Sequence, residues 1–142
     1  MAMRTYDPKK VLISLGSHSV SGYSDGTFLA IEANGDGVTS KTGCDGEVAR
    51  SLSPDNSAKV TLTLLQTSLT VAWAQKQYNK DMKTGSGTFP ILVKDLKGGL
   101  IFSAADAWIV KPPNREFGKE SADRELEIQT GEADWDETGS SY

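Results

Sequence analysis

The sequence predicts a mainly β protein, an antiparallel sandwich or barrel flanked by one α-helix. Apolar and polar residues alternate over several short segments, most clearly at 59–65, where Val60, Leu62 and Leu64 share one face. Helical periodicity is confined to one segment, about 68–81. Turn residues separate these segments, which favours hairpins between antiparallel strands.

The N-terminal segment is predicted to form two strands that pair with each other. Alternation begins at 11–15, and the strand can continue through 18–23 after a bend at Gly16. The next strand is predicted at 28–33. Because Asp25-Gly26 is a turn dipeptide between the two strands, we expect a hairpin here.

Residues 34–46 are predicted to protrude. The stretch holds turn dipeptides such as Asn34-Gly35, Asp36-Gly37 and Asp45-Gly46, and Val38 is its one large aliphatic side chain. Such a composition buries little apolar surface. We therefore expect an exposed loop or a mobile arm.

A short strand at 47–52 and the half-buried strand at 59–65 precede the helix. The apolar stripe of the helix begins after Thr67 or Ser68, either of which can cap the first turn, and glycines at 85 and 87 end it.

The C-terminal part is predicted to hold three more strands in a single-domain β-barrel that spans 1–142. Segments 89–94 and 100–110 form a hairpin around the turn at 97–99, and 124–130 is the closing strand. The small, polar residues 136–142 are expected to form a flexible tail.

Composition and charge exclude several functional classes. The 142 residues include 15 Lys and Arg against 19 Asp and Glu, which gives a net charge of −4. This balance disfavours a dedicated nucleic-acid-binding domain. No apolar run is long enough for a membrane anchor, and residues 1–10 do not resemble a secretory signal, so we expect a cytoplasmic product.

Catalytic chemistry is not expected. His18 and its neighbouring serines point to opposite faces of a strand, so a structural or surface role is favoured. Cys44 beside Asp45 lacks the positive surroundings of a reactive thiolate. Glu125 and Glu127 share a strand face, and their separation along the strand would allow acid–base chemistry. A solvated polar face is the simpler interpretation. We expect no enzyme, no cofactor and no metal.

Three tryptophans and one loop are the candidate binding features of the sequence. Trp73 and Trp108 are expected in the core, because they lie on the helix stripe and a buried strand. Trp135 sits in an acidic segment with nothing local to pack against, which indicates burial against another chain. The charged, proline-stiffened loop 111–120 is either a polar protein contact or a plain connection.

Four segments together resemble a family of phage structural proteins that are similar to the inner tube proteins of contractile tails. They are DGEVAR at 45–50, VTLTLLQTS at 60–68, AWIVKPP at 107–113 and FGKE at 117–120. The resemblance covers roughly residues 10–135.

The resemblance implies a subunit of a contractile tail tube in the virion, assembled in the host bacterial cytoplasm. Homohexameric rings would stack into a conduit for DNA ejection, in contact with sheath, baseplate and tape-measure proteins, and DNA would pass without specific binding. The implied contact residues between subunits are Gly35, Asp36, Val38, Asp45, Arg50 and Trp135. Glu125 and Glu127, or the threonine-rich face of the strand at 59–65, would line the lumen.

Two alternatives remain open from the sequence. One is a tube or needle subunit of a related injection device, such as a bacteriocin or a secretion system, because these share the fold. The other is a monomeric β-domain that binds a ligand.

Overall fold

A computed structural model describes residues 3–139, which form ten β-strands, one α-helix and one short 3-10 helix. The mainly β, antiparallel class with one helix is confirmed. The elements are the 3-10 helix Pro8–Lys10, β1 (Val11–Leu15), β2 (His18–Ser19), β3 (Leu29–Ala33), β4 (Val38–Thr42), β5 (Val48–Leu52), β6 (Ala58–Leu64), α1 (Leu69–Thr84), β7 (Phe89–Asp95), β8 (Ile101–Ile109), β9 (Arg124–Thr130) and β10 (Ala133–Asp136).

Eight of these strands make one sheet in the order β2-β1-β7-β8-β9-β6-β3, with β10 also paired to β8. Strands β9 and β10 lie one after the other along the same edge of β8, since Ala107 pairs with Thr130 and Ala104 with Ala133. Between them the Gly131 N–H donates to the Asp106 carbonyl at 2.8 Å. The expected β7–β8 hairpin is confirmed.

The segment 20–24 links the two ends of this strand path. The Val20 N–H donates to the Ile13 carbonyl of β1 at 3.0 Å. Two residues later the Gly22 carbonyl accepts from the N–H of Leu65, just past β6, at 2.7 Å. Strands from opposite ends of the sheet are therefore joined by one crossing segment.

Alternate residues of the strands fill a single hydrophobic core. In β6 the buried positions are Ala58, Val60, Leu62 and Leu64, which confirms the predicted alternation. Phe102 in β8 is completely buried. Burying an aliphatic or aromatic side chain of this size contributes about 1.5–3 kcal/mol, so the core stabilises the fold without a disulfide.

Helix α1 packs on this core through a narrow face made of Thr70, Val71 and Ala74. The Ser68 hydroxyl accepts a hydrogen bond from the Thr70 N–H at 3.2 Å, as expected of a cap. The helix continues three residues past the predicted end at 81 and stops at Gly85, whose φ of 69° is left-handed.

The start of α1 contacts the crossing segment 20–24 directly. The Ser68 hydroxyl donates to the Ser21 carbonyl. A Cβ atom on Gly22 would lie 2.7 Å from the Ser68 Cβ, and Gly22 has a φ of +74°. Glycine is therefore required at this position both for backbone conformation and for the close approach.

One predicted pairing and the predicted last strand are wrong. Strand β3 does not pair with the first strand but with β6, where Ile31 lies opposite Val60. The chain at 20–24 crosses from β1 to β6, so it delivers β3 to the far edge of the sheet. Nor is 124–130 the closing strand, because β10 follows it and continues along β8.

The C-terminal segment is more ordered than expected as far as Asp136, which belongs to β10. Residues 137–139 have no regular structure. The rest of the predicted tail, 140–142, lies outside the described residues.

We predict that Gly22→Ala destabilises the protein by about 2 kcal/mol, because it adds both left-handed strain and a steric clash. The measurement is the free energy of unfolding in urea. Gly26→Ala is the matched control, since nothing lies within 4 Å of a Cβ at Gly26. Equal effects of the two substitutions would contradict the proposed contact between Gly22 and Ser68.

Candidate assembly surfaces

Residues 38–52 form an exposed hairpin, here called the arm. Strands β4 and β5 pair only with each other among the described residues, and every residue of both strands is exposed. The short strand expected at 47–52 is confirmed as β5. Strand β4, however, lies inside the stretch 34–46 from which a loop or arm was expected, because its residues pair with β5.

Two backbone hydrogen bonds flank the joint between the arm and the strands β3 and β6. The Asn34 N–H donates to the Ser57 carbonyl at 3.2 Å, and the Ser53 N–H donates to the Gly37 carbonyl at 2.8 Å. Between these bonds, residues 35–36 lie on one side and residues 54–56 on the other. The joint is irregular, and the arm beyond it is a separate two-stranded sheet.

One face of the arm carries its large apolar side chains. Val38 lies opposite Leu52, and Val48 lies opposite Thr42. Arg50 lies between these two pairs on the same face, because successive pairs alternate between faces. Val38, Val48 and Leu52 are 52%, 57% and 75% exposed.

The remaining predicted contact residues of this region lie at the two ends of the arm. Gly35 and Asp36 are exposed at its base. Asp45 shapes the tip, since its carboxylate accepts from the Glu47 N–H at 3.1 Å. The lone cysteine, Cys44, is exposed beside it.

Trp135 has a local partner that the sequence did not reveal. Its ring meets Phe102 edge-on at a centroid distance of 4.8 Å, because β10 lies beside β8. The expectation that it has nothing to pack against is therefore wrong. Nonetheless 46% of Trp135 is exposed, and this part can meet another chain.

Glu125 and Glu127 lie on a polar face outside the core. On the neighbouring strand β6 they lie opposite Thr63 and Thr61. Glu127 bridges two lysines: its carboxylate oxygens lie 3.2 Å from Lys59 Nζ and 3.8 Å from Lys111 Nζ. Because these ion pairs lie on a partly exposed surface, the structure supports the interpretation of this region as a solvated polar face.

Trp108 lies on the same polar face and not in the core as expected. It is half-buried opposite Gln129, while its neighbours Ala107 and Ile109 face inward. The alternation of β8 places it outside, since three successive residues cannot point to one side.

His18 and Trp73 form a packing cluster at the start of α1. Their rings stack at a centroid distance of 5.1 Å, and Trp73 also meets Phe89 edge-on at 5.0 Å. His18 Nε2 lies 2.8 Å from the Thr70 hydroxyl. These contacts support the structural role expected for His18 and the packing role expected for Trp73.

A buried arginine holds the loop between β8 and β9. Arg124 is 2% exposed, and its guanidinium donates to the carbonyls of Ala122 at 3.2 Å and Glu116 at 3.1 Å. The guanidinium also lies over the ring of Phe117, 5.2 Å from its centroid. Sequence reasoning missed this residue, because arginine is rarely buried and nothing local marks it.

An apolar groove of about 1030 Å³ opens beside the start of β3. Its walls include Tyr6, Leu12, Phe28 and Leu29, together with Asp25. Tyr23 also lines it, and burial raises the pKa of the Tyr23 phenol. No sequence pattern indicated this groove, because its walls come from distant segments.

The described part of the chain holds no group of three or more His, Cys, Asp or Glu side chains able to bind a metal ion. Its helix is too short and too polar to cross a membrane.

Comparison with known proteins identifies the family. The family described as "Bacteriophage PhiTE tail tube protein" matches residues 11–136, almost the whole described chain. The chain belongs to this tail tube family. The resemblance inferred from the four sequence segments is thereby confirmed, and the chain is a structural protein of phage tails, not an enzyme.

A curated relative and three solved structures are similar to this tail tube protein. "Structural protein ORF10" of Pseudomonas phage KPP10 is 26% identical over 132 residues, which cover 87% of this chain and 76% of the relative. The cap that terminates the tube of the anti-feeding prophage has a TM-score of 0.62 at 9% identity, covering 97% of this chain and 95% of the cap chain.

Two structures come from an extracellular contractile injection system. Its sheath/tube terminator has a TM-score of 0.62 at 9% identity and covers 96% of this chain and 99% of its own. A chain of its sheath–tube complex has a TM-score of 0.60 at 9% identity, with coverages of 94% and 93%. These likenesses show that the fold is shared.

We predict that Arg124→Met lowers the free energy of unfolding by about 3 kcal/mol, because it removes the buried guanidinium that donates to the loop carbonyls of Ala122 and Glu116. Urea unfolding measures the loss, and faster proteolysis at 116–123 locates it. Arg115→Met is the control: Arg115 also donates to a carbonyl and to Gln75 but is exposed, so we expect a loss below about 1 kcal/mol. Similar losses for both would refute the role given to Arg124.

Proposed function

We propose that this chain is the building block of a contractile phage tail tube, a single β-barrel domain over 1–142 that self-assembles into stacked hexameric rings. The stack forms the conduit for DNA ejection. The observation that carries the proposal is the arm, which leaves its apolar face in water in a member of a tail tube family.

The arm cannot stabilise itself alone. A two-stranded hairpin without a third strand or a packed face is at best marginally stable in water. Monomeric proteins also rarely leave contiguous apolar side chains uncovered without a binding role. The arm therefore fits a contact between subunits, made by Val38 and Arg50, with Gly35 and Asp36 at its base and Asp45 at its tip.

An open strand edge supports assembly into rings. In residues 3–139, β3 pairs with β6 on one side and with no strand on the other. Exposed edges of this kind pair readily with another chain. A neighbour that pairs there and covers the exposed part of Trp135 would extend the sheet around a ring.

The polar face of β6 and β9 is proposed to line the lumen. Glu125 and Glu127 face away from the core, and threonines of β6 lie opposite them. Lys59 and Lys111 both pair with Glu127, which offsets one of their two charges, and Glu125 adds a second carboxylate to this face. With a net charge of −4 on the chain, such a surface lets DNA pass without specific binding.

The outside of the tube is proposed to meet the sheath, and its ends the baseplate and tape-measure proteins. The likeness to a chain of a sheath–tube complex supports this arrangement. The assembled protein would reside in the virion tail after assembly in the host bacterial cytoplasm. A tube subunit of a related injection device is supported by the same likeness.

A tube terminator is a second candidate. Two of the similar structures come from tube-terminating proteins. A terminator would form one ring and stop growth, whereas a tube subunit adds rings repeatedly. Negative-stain microscopy of the purified chain separates them, because long tubes support the subunit and single rings support the terminator.

We predict that replacing residues 38–52 with a short Gly-Ser turn abolishes ring stacking but not folding. All strand residues of the arm are exposed, so the free energy of unfolding should change by less than about 1 kcal/mol. Sedimentation and microscopy measure assembly, and urea unfolding measures the fold.

Lys41→Glu is the point control for that deletion, since Lys41 lies on the arm face opposite to that of Arg50. It should leave tubes intact. Tubes formed by the chain without its arm would contradict the role of the arm, and loss of the folded state would contradict its independence from the core.

We predict that Glu125→Cys in a Cys44→Ser background is shielded inside tubes from a large polyethylene-glycol maleimide but reacts with a small maleimide. The reason is that a lumen excludes bulky polymers while admitting small molecules. The readout is a mass shift on denaturing gels before and after tube disassembly.

Lys80→Cys in the same background is the control for labelling, because Lys80 lies on the exposed side of α1. In intact tubes Lys80→Cys should react with both the large and the small maleimide. Labelling of Glu125→Cys by the large reagent in intact tubes would rule out a lumen position.

A further inference from the structure

We propose that the apolar groove beside β3 is the receptor for the arm of a second copy of this chain. The proposal rests on the self-assembly proposed above and names the surface that the arm contacts. Its observations are the shape and lining of the groove, the apolar face of the arm, and the charges that the two surfaces present.

The groove is an opening into the core. Its lining includes Val11, Val20 and Val93, all of which are buried core-facing residues. Tyr23 and Phe28 stand beside them with their rings 4.6 Å apart. Apolar side chains placed there would extend the core and cover Leu12, a lining residue that is 49% exposed.

The arm face offers the matching chemistry. Val38, Val48 and Leu52 stand along one side of a narrow two-stranded ribbon, and a ribbon of that kind can enter a groove lengthwise. These side chains are exposed and lie outside the core cluster of their own chain. The arm and the groove are thus two uncovered apolar surfaces on one molecule.

Opposite charges on the arm and the groove favour this contact. Arg50 lies on the apolar face of the arm, and the groove lining carries Asp25 and Asp95 against Lys9, a net negative charge. Arg50 and Asp25 are both exposed, and neither forms an ion pair within residues 3–139. An arm entering the groove can bring the guanidinium to the Asp25 carboxylate, which fixes the register of the contact.

The two surfaces lie at opposite ends of β3. Leu29, the first residue of the strand, lines the groove, whereas the chain leaves Ala33, the last residue, toward the arm. A five-residue strand spans roughly 16 Å. An arm that points away from the groove of its own chain meets the groove of the next, and this head-to-tail contact repeats without closing on a pair.

Charge reversal on each side tests the contact. The variants are Arg50→Glu and Asp25→Lys, each purified as the full chain and checked for unchanged thermal unfolding. We expect each alone to raise the critical concentration for assembly about tenfold, because every arm then meets a groove of like charge.

An equimolar mixture of the two variants is the decisive sample. In an alternating polymer the arm of the Arg50→Glu chain would meet the groove of the Asp25→Lys chain, and the unchanged arm would meet the unchanged groove. Opposite charges then face each other at every contact, so assembly should return to nearly the wild-type concentration. Lys41→Glu, with the same charge change on the other face of the arm, should assemble like wild type.

Each result decides between the hypotheses. Normal assembly of both single variants, or a mixture that fails to recover, overturns the docking of arm and groove while the wild-type chain still forms tubes. A wild-type chain that stays monomeric overturns the proposed function together with this inference.

Discussion

The pairing of β3 with β6 is the interaction on which the rest of the structure depends. The crossing segment 20–24 bonds to residues 63 and 65 and then delivers β3 to the same strand, which joins the two ends of the sheet. Past Asn34 the chain leads through a short irregular joint into the arm, so the arm starts from these two strands. The outer edge of β3 remains without a partner strand among residues 3–139, so this pairing also leaves an open edge for another chain.

Folding and assembly draw on different residues of this chain. The core is filled by alternate strand positions and a narrow face of α1, and none of the arm residues belongs to it. Because burial provides the main stabilisation, the subunit can be stable before it assembles. Surfaces such as the arm and the groove then remain available for neighbours, and their apolar contacts can form without refolding the body.

Local patterns predicted the elements well and their partners poorly. Alternation at Val60, Leu62 and Leu64 found β6, and the serine cap and Gly85 located α1. The partner of β3 was wrong, because alternation says which residues face inward but not which strand lies alongside. The same limit applies to Trp135, which packs on Phe102, and to Arg124, which binds carbonyls of the preceding loop. These contacts form only when segments that are distant in sequence meet.

The side on which the arm carries its apolar side chains depends on the number of residues in its two strands. Residues 35–36 oppose 54–56 at the joint with the body, and the strands beyond it alternate faces residue by residue. Evolution can therefore lengthen or shorten β4 and β5 by two residues each and keep the valines and leucine on the same side. A change of one residue in each strand would turn the face with Lys41 to the side that the valines and the leucine now occupy. Related proteins with longer or shorter arms should therefore differ by an even number of residues in each strand.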